Sequence, residues 1–572
     1  MTTKRQIRAL LKDLYGEETA GQTYVSLLEL LESYRPTLPE PRPFAFSQSD
    51  AVLITYADNI RKRGRTPLAA MKGFLKQYVG ETVPTIHLLP FFPFSSDDGF
   101  SVIDYKSVDP ASGSWEDVEA LSRDYRLMFD AVINHISVES GWFQGFLRDD
   151  PIYKDYFITV EPGTDLSQVF RPRALPLLTS FDTPSGLKLV WTTFSEDQAD
   201  LNFENPRLLL EVIDVLLFYV RQGAHYIRLD AIAFLWKIPG TASIHLPQTH
   251  AVIQLFRLVL DEVAPQTVLI TETNVPHEDN ISYFGDGKNE AQMVYNFSLP
   301  PLVMHSIHQG DAGALTEWAR GLSLPSGRTT FFNFLASHDG VGVTPARGLL
   351  ADAEINALGE RVEALGGHVS YKNNPDGTRS PYELNINYLD ALGDPQKPDE
   401  EPELLARRFL LSQAVMLALR GVPGIYIHSL IGSHGWPEGV EQTGRYRTIN
   451  REKLRGADIE RDLNDPDSLR SRVFYPYLKL LELRSAESRT AFSPIGEQEI
   501  LMLDRRVFAL KRISPSGDDR VFCLNNVSNQ NLEVLLASDQ DLRDLIGGEN
   551  YPAGKDGQVA VSLAPYQVAW LV

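Results

Sequence analysis

The sequence predicts an α/β fold in which eight parallel strands close into a (β/α)8 barrel. Eight short apolar segments recur along the chain without the polar alternation of a strand that faces solvent on one side. Helical segments separate them, as in PRLLLEVIDVLLFYVRQG, where Pro206 lies near a helix start and Gly223 follows its end. Acidic residues directly follow several of these segments, at the face where such barrels carry their active sites.

The predicted strands occupy the middle of the chain in regular order. They are AVLITY (51–56), TIHLLP (85–90), RLMFDAVI (126–133), HYIRLD (225–230), TVLITE (267–272), QMVYNF (292–297), TTFFNFLAS (329–337) and GVPGIYIH (421–428). Strands and helices that alternate eight times are the pattern of an α/β barrel. We therefore assign residues 49–137 and 204–488 to a catalytic barrel.

Two intervals are too long for simple strand-to-helix connections. Residues 138–203, rich in proline, glycine and aromatic residues, are predicted to form an inserted domain after the third strand. Residues 340–405, with NNPDGTRSP and DALGDPQKPDEEPE, are predicted to form a long insertion after the seventh. Loops of this length in compact proteins are usually functional.

The two ends of the chain differ from the barrel pattern. Residues 1–48 are predicted to form a polar, helical N-terminal extension that ends in the proline-rich YRPTLPEPRPF. Residues 489–572 contain short alternating segments such as RRVFALKRI and YQVAWLV, which predict a small antiparallel β-domain.

Composition restricts the location and the partners of the protein. The chain has no apolar run near the ~18 residues of a membrane span, and its start, MTTKRQIRALLKDLYG, lacks the apolar region of a secretory signal. A single cysteine, Cys523, excludes an intrachain disulfide and is typical of a reducing compartment, so we expect a cytoplasmic protein. A net charge of −21 argues against binding to nucleic acid or to an anionic membrane.

Two carboxylates, Asp230 and Glu272, end two consecutive predicted strands. A retaining glycosidase needs one carboxylate as nucleophile and a second as acid/base, about 5–5.5 Å apart, and neighbouring strands can hold them so. Arg228, two residues before Asp230 and on the same face, is expected to keep Asp230 ionised. For Arg228 and Asp230 the alternative is a structural ion pair inside the barrel, and for Glu272 it is a solvent-exposed glutamate in a loop.

Three further segments carry candidate sugar-binding side chains. His338 and Asp339 could hold hydroxyl groups and stabilise developing positive charge, although an Asp-Gly turn after a strand is the alternative. His135 could bind a ring hydroxyl or be a hydrogen-bonded structural residue. Asp97 and Phe100 could bind distal hydroxyls and the sugar face, or form another acidic turn. HExxH motifs, EF-hand loops and paired cysteines are absent, so neither a metal nor a cofactor is expected.

These segments together resemble the α-amylase superfamily, family 13 of the glycoside hydrolases. The resemblance rests on four motifs in order: DAVINH (130–135), YIRLDAIAF (226–234), LITETN (269–274) and FLASHDG (334–340). It implies a retaining double displacement with Asp230 as nucleophile, Glu272 as acid/base and Asp339 as transition-state stabiliser. It also places Arg228, His135 and His338 at sugar-contacting positions.

Most of the chain further resembles the sucrose phosphorylase subgroup. The similar segments include LITYAD (53–58), HLLPFFPF (87–94), DDGFSVIDY (97–105), RPRALP (171–176), VWTTFSEDQADLN (190–202), FSLPPLVMHS (297–306), GVPGIYI (421–427) and RTINRE (447–452). This resemblance implies that Asp97 and Arg447 clamp a glucosyl ring, that Phe100 and Phe194 line it, and that Gln198 adds a polar contact. Such enzymes cleave an α-glucoside with inorganic phosphate, their co-substrate, and release α-glucose 1-phosphate.

A phosphate-accepting site needs cations and restricted hydration. The resemblance implies that Arg173, in the insertion after the third strand, helps to receive phosphate; Arg379, in the insertion after the seventh, is a second candidate. Arginine suits this role because its guanidinium forms bidentate hydrogen bonds with phosphate. The alternative for each is a surface arginine in a loop.

The acceptor loop departs from the sucrose phosphorylase pattern. In NNPDGTRSPYELNINY (373–388), Arg379 lies three residues before Tyr382, Glu383 replaces an expected glutamine, and Asn274 stands where a histidine is expected. The loop, TPARGLL (344–350) and the N-terminal extension instead resemble the glucosylglycerol and glucosylglycerate phosphorylases of the subgroup.

The acceptor itself stays open between two small molecules. Glycerate needs a cation near its carboxylate, for which Arg379 or Arg347 could serve, whereas glycerol needs only hydroxyl partners such as Glu383, Asn274 or Tyr382. The acidic composition favours glucosylglycerol, with glucosylglycerate next.

The competing functions are a sucrose or sucrose 6-phosphate phosphorylase, an α-glucoside hydrolase or transglucosidase, and a non-catalytic barrel. A monomer or a homodimer is expected.

Overall fold

The computed structural model describes residues 3–172, 175–373, 377–397 and 400–572. Its centre is a closed barrel of eight parallel strands, and every predicted strand is confirmed. They are β1 (Val52–Thr55), β2 (Thr85–Leu88), β3 (Arg126–Ala131), β4 (Ala224–Leu229), β5 (Val268–Thr271), β6 (Met293–Tyr295), β7 (Thr330–Phe334) and β8 (Val422–Tyr426). Each strand pairs with its neighbours in sequence order, and β8 closes on β1.

The strands are apolar throughout because both of their faces are covered, by the barrel interior and by the surrounding helices. The helices that follow the successive strands are Pro67–Phe74, Trp115–Ser122, Pro206–Arg221, Pro247–Val263, His277–Ile281, Leu299–Gln309 with Gly313–Gly321, Pro402–Ala418, and Leu469–Ser485. The parallel register sets Leu229 of β4 beside Thr271 of β5. The residues that follow, Asp230 and Glu272, therefore leave the barrel side by side.

The chain departs from the barrel after β3 and after β7. After β3, a hairpin of Leu178–Thr183 and Gly186–Trp191 forms, and Gln198–Asp200 returns to pair with His135–Ser137. After β7, Val341–Gly342, His368–Asn373 and Arg379–Asn385 form a three-stranded antiparallel sheet, with the helix Asp352–Ala364 beside it. Both insertions leave the carboxyl ends of the strands and so stand over the same face of the barrel.

The C-terminal region is antiparallel, as its alternating segments predict. Glu497–Leu501, Val507–Ile513, Arg520–Asn526 and Val568–Leu571 form a four-stranded sheet. Leu532–Ala537 pairs with Gln558–Leu563, and the inward residues of both sheets share a separate apolar core.

The N-terminal extension consists of two helices, α1 (Thr3–Tyr15) and α2 (Glu17–Tyr34), that pack on the outside of the barrel. The Tyr34 hydroxyl donates to Asp214 Oδ1 at 2.6 Å, and the Tyr15 hydroxyl donates to the Phe203 carbonyl at 2.9 Å. The Tyr15 ring lies 6.5 Å from that of Trp236, in the loop after β4. Within the described ranges, every helix is too short or too polar to cross a membrane.

We expect Leu27→Ala in α2 to lower the free energy of unfolding by about 2–5 kcal/mol, because it leaves a cavity in a tightly packed core. Leu27 is fully buried and belongs to the apolar core that continues into the barrel, whereas Val25 in the same helix is 55% exposed. Val25→Ala is the matched control and should change stability little. Urea unfolding followed by tryptophan fluorescence measures both, and equal midpoints for the two variants would contradict packing of α2 as part of the barrel core.

Candidate active site

A cavity opens at the carboxyl ends of the strands. It is lined by predicted residues from six of the strand-end loops and from both insertions. They are Asp97, Phe100, His135, Phe194, Gln198, Arg228, Asp230, Glu272, Asn274, His338, Asp339, Tyr382, Glu383 and Arg447. The fold therefore brings together residues up to 350 positions apart in the sequence.

Arg228 organises the two central carboxylates. Its Nη1 lies 2.7 Å from Asp230 Oδ1 and also contacts Asp130, while its Nη2 lies 3.7 Å from Glu272 Oε2. Asp130 in turn lies 2.7 Å from Nε2 of the buried His87. One guanidinium group thus holds Asp230 on one side and faces Glu272 on the other.

The backbone after β4 completes this arrangement. Ala231 adopts a left-handed conformation with φ of 47°, which is strained for a residue other than glycine. Its amide N–H donates to Glu272 Oε2 at 3.0 Å. The turn that carries Asp230 therefore also fixes the position of the Glu272 carboxyl group.

The two carboxyl groups titrate differently from free side chains. Burial raises the pKa of Glu272 to about 7, because the effect of burial and of the nearby Asp230 charge outweighs the attraction of Arg228. Burial also raises the pKa of Asp230, an effect that Arg228 opposes. A carboxyl group protonated near neutrality beside one paired with arginine is the arrangement of an acid/base and a nucleophile.

Asp339 is held by two arginines. Arg447 Nη1 lies 2.6 Å from its Oδ1, and Arg451 Nη2 donates to the same atom at 3.2 Å. Although burial opposes ionisation, these two cations lower the pKa of Asp339 below its usual range. Arg447 also forms a bidentate pair with Glu383, at 2.9 Å and 2.6 Å.

The Asp97–Phe100 turn supplies one wall of the cavity. Asp97 and Asp98 both have positive φ, and Gly99 is required because a Cβ there would lie 2.5 Å from the Pro90 carbonyl oxygen. The Phe100 ring stacks on His338 at 4.8 Å, with an angle of 5° between the planes. Burial lowers the pKa of His338 to about 3, so the ring is neutral at pH 7.

His135 and Gln198 hold the peptide of Phe100. The Phe100 carbonyl oxygen accepts from His135 Nε2 at 2.9 Å and from Gln198 Nε2 at 3.0 Å. Asn134 Nδ2 donates to the other ring nitrogen of His135 at 3.2 Å, which fixes the neutral tautomer. Gln198 lines the cavity as expected, and its amide group also binds protein backbone and Ser195.

Asn274, Tyr382 and Glu383 also line the cavity. Gly342 pairs with Glu383 across the three-stranded sheet, and a Cβ at Gly342 would lie 2.5 Å from the Asn274 amide nitrogen. The Asn274 Oδ1 atom is buried without a hydrogen-bond partner among the described residues. A residue larger than glycine at position 342 cannot fit without moving Asn274.

Of the two predicted phosphate-binding arginines, the structure describes only one. Arg173 lies outside the described residues. Arg379 does not line the cavity: it is exposed, pairs with Asn373 at the far end of its hairpin, and its guanidinium lies 4.8 Å above the Tyr371 ring. The strand register explains this difference, because Tyr382 and Glu383, nearer the barrel end of the strand, face the site instead.

Sequence reasoning missed several residues that organise the site. Arg451, 3% exposed, contacts Asp339 and lies 2.5 Å from Asp98; only its place in the motif RTINRE, four residues after Arg447, pointed to it. The fully buried Lys237 lies 2.7 Å from Asp200 and donates to Asn134 Oδ1 at 2.8 Å, and burial lowers its pKa. No sequence pattern distinguishes this lysine from a surface one.

Comparison with known proteins agrees with this geometry. A family model described as the α-amylase catalytic domain matches residues 75–339. A glucosylglycerate phosphorylase from Spirochaeta thermophila is 51% identical, over 99% of this chain and 98% of its own length. A glucosylglycerol phosphorylase from Marinobacter adhaerens is 27% identical, over 76% of this chain and 86% of its own.

A solved structure, sucrose 6F-phosphate phosphorylase from Thermoanaerobacter thermosaccharolyticum, shares the fold with a TM-score of 0.72 and 22% identity. The match covers 90% of this chain and 98% of that one. The chain therefore belongs to the α-amylase family, family 13 of the glycoside hydrolases, and to its subgroup of sucrose phosphorylase-like phosphorylases.

We expect Gly342→Ala to lower kcat/KM for phosphorolysis by about tenfold, because the new methyl group displaces Asn274 from the cavity wall. Hydrolysis of α-glucosyl fluoride, which has no bulky leaving group, should change much less. Gly21→Ala is the control, since a Cβ there meets no atom within 4 Å. Steady-state kinetics of both variants measure the effect, and an unchanged kcat/KM would place Asn274 outside the substrate path.

Proposed function

We propose that the protein is a retaining phosphorylase that reversibly converts an α-glucosylglycerate and inorganic phosphate into glycerate and α-D-glucose 1-phosphate. The observation that carries this proposal is the arrangement of Asp230 and Glu272 about Arg228, with Asp339 held nearby by two arginines. This geometry supports double displacement at an anomeric carbon.

In the first step, an Asp230 carboxylate oxygen attacks C1 of the glucosyl unit. The bond from C1 to the glycerate oxygen breaks, and protonated Glu272 gives its proton to that oxygen. In the second step, a phosphate oxygen attacks C1 from the other face, Glu272 accepts a proton, and the ester bond to Asp230 breaks. Asp339, ionised beside Arg447 and Arg451, stabilises positive charge at C1 in both transition states.

Glycerate replaces glycerol as the preferred acceptor in this proposal, in contrast to the order that composition favoured. The support is the similarity of almost the whole chain to a glucosylglycerate phosphorylase, at 51% identity, against 27% for the glucosylglycerol phosphorylase. The acidic composition describes the whole surface and carries no information about the acceptor wall.

An acceptor screen tests the proposed function. With α-glucose 1-phosphate as donor, we expect the highest kcat/KM for glycerate, with phosphate released, and lower values for glycerol, fructose and fructose 6-phosphate. Asp230→Ala, which lacks the proposed nucleophile, should abolish transfer while remaining folded. Preference for glycerol or fructose would overturn the acceptor assignment, and release of free glucose with every acceptor would indicate a hydrolase.

The raised pKa of Glu272 predicts a basic limb in the pH profile. Glu272 must be protonated to assist departure of glycerate, so kcat/KM for glucosylglycerate should fall as the pH rises through about 7. Below that limb, activity should fall again only where Asp230 becomes protonated. α-Glucosyl fluoride needs no proton for departure and is the control substrate. If kcat/KM for α-glucosyl fluoride fell equally at high pH, Glu272 would not be the acid that protonates the leaving group.

A further inference from the structure

An outer vestibule continues the cavity toward solvent. We define it by Arg171, Lys372 and Arg445, which line it together with the cavity residues Tyr382 and Arg447. Its residues come from both insertions and from the loop that follows the helix Pro437–Thr443. Because the vestibule shares Tyr382 and Arg447 with the cavity, a molecule in the vestibule lies next to the inner site.

The inner cavity is unfavourable for anions. Five carboxylates and two guanidinium groups line it among the described residues, and one of those carboxyl groups, Glu272, has its pKa raised to about 7. Its cations are already neutralised, since Arg228 contacts Asp130 and Asp230, and Arg447 contacts Asp339 and Glu383. Phosphate and a carboxylate acceptor therefore meet little unpaired positive charge there.

The vestibule has the opposite balance. Five cationic side chains and two carboxylates line its described part; Asp97 lies 3.8 Å from Arg451, and Glu383 pairs with Arg447, so these two arginines already face carboxylates. Arg171, Lys372 and Arg445 take part in no ion pair within the part of the chain that the structure describes. Arg171 and Arg445 are exposed and Lys372 is half-buried, so all three can reach a solute in the mouth.

Three different segments bring these cations together. Arg171 belongs to the insertion after β3, Lys372 to the strand His368–Asn373, and Arg445 to the loop before Arg447. The pKa of Lys372 is lowered by its partial burial and by the nearby positive charge of Arg347. In a protein with a net charge of −21, a concentration of unpaired positive charge at one opening attracts anions there.

We propose that Arg171, Lys372 and Arg445 form an oxyanion-capturing rim that serves both anionic co-substrates, inorganic phosphate and the carboxylate-bearing acceptor. The proposal rests on the proposed function for the acceptor and goes beyond it by naming the residues that separate anionic from neutral acceptors. The three cations act outside the reacting atoms, so they raise the local concentration of anions and leave the bond-breaking steps unchanged.

The test uses the double variant Lys372→Gln/Arg445→Gln in the full chain, with neutral α-glucosyl fluoride as donor. The acceptors are phosphate and glycerate, which are anionic, and glycerol and water, which are neutral. We expect kcat/KM for phosphate and for glycerate to fall on the order of tenfold, while kcat with these two acceptors stays nearly unchanged. The rates of transfer to glycerol and to water should also stay nearly unchanged. High salt should remove most of the difference from the wild type. Lys555→Gln, an exposed lysine of the C-terminal region, is the matched control.

Several outcomes would overturn the proposal. Equal losses with anionic and neutral acceptors would indicate a structural effect, and thermal unfolding of the variant checks this independently. Unchanged kcat/KM for phosphate would remove the rim from the reaction, and a loss confined to one anion would overturn a shared site. A wild-type enzyme that uses phosphate but not glycerate would refute the proposed acceptor, while the phosphate measurement would still test the rim.

Discussion

The buried guanidinium of Arg228 is the interaction on which the rest of the site depends. Three carboxylates lie around it, two of them in direct contact. Without this cation, burial would favour the protonated form of all three, and Asp230 would lose the negative charge that its proposed role as nucleophile requires. The barrel supplies the geometry, because Arg228 lies within β4 while Asp130 and Glu272 come from the strands on either side of it. The parallel strand register thus places Asp230 in contact with the guanidinium of Arg228 and Glu272 farther from it, so the two carboxyl groups have different environments.

Much of the fold could be predicted because its physical signals are local. A strand buried on both faces must be apolar at every position, so each barrel strand was visible as a short uniform segment. The acids at the ends of β4 and β5 were visible for the same reason, since they interrupt that pattern. Arg451, Asp98 and Lys237 were less visible, because their importance comes from contacts with residues distant in sequence. Arg379 was misplaced because the hairpin register, rather than the distance along the loop, decides which residues face the cavity.

The acceptor could not be derived from the same kind of signal. Composition averages the charge of the entire surface, whereas the acceptor meets only a few side chains at the mouth. The net charge of −21 coexists with a vestibule in which cations outnumber carboxylates, whereas carboxylates outnumber cations in the inner cavity. An electrostatic argument about a substrate therefore has to be made for the particular surface that the substrate contacts.

The Phe100 peptide has one further consequence. Its carbonyl oxygen is bound by His135 and Gln198, and its ring stacks on His338, so the loops after β2, β3 and β7 and the first insertion are joined at one point. The strands His368–Asn373 and Arg379–Asn385 supply neither of these hydrogen bonds. Glu383, in the second of those strands, pairs instead with Arg447, which also holds Asp339. A change in the strand Arg379–Asn385 can therefore alter one part of the cavity lining while the hydrogen bonds that hold Phe100 stay in place.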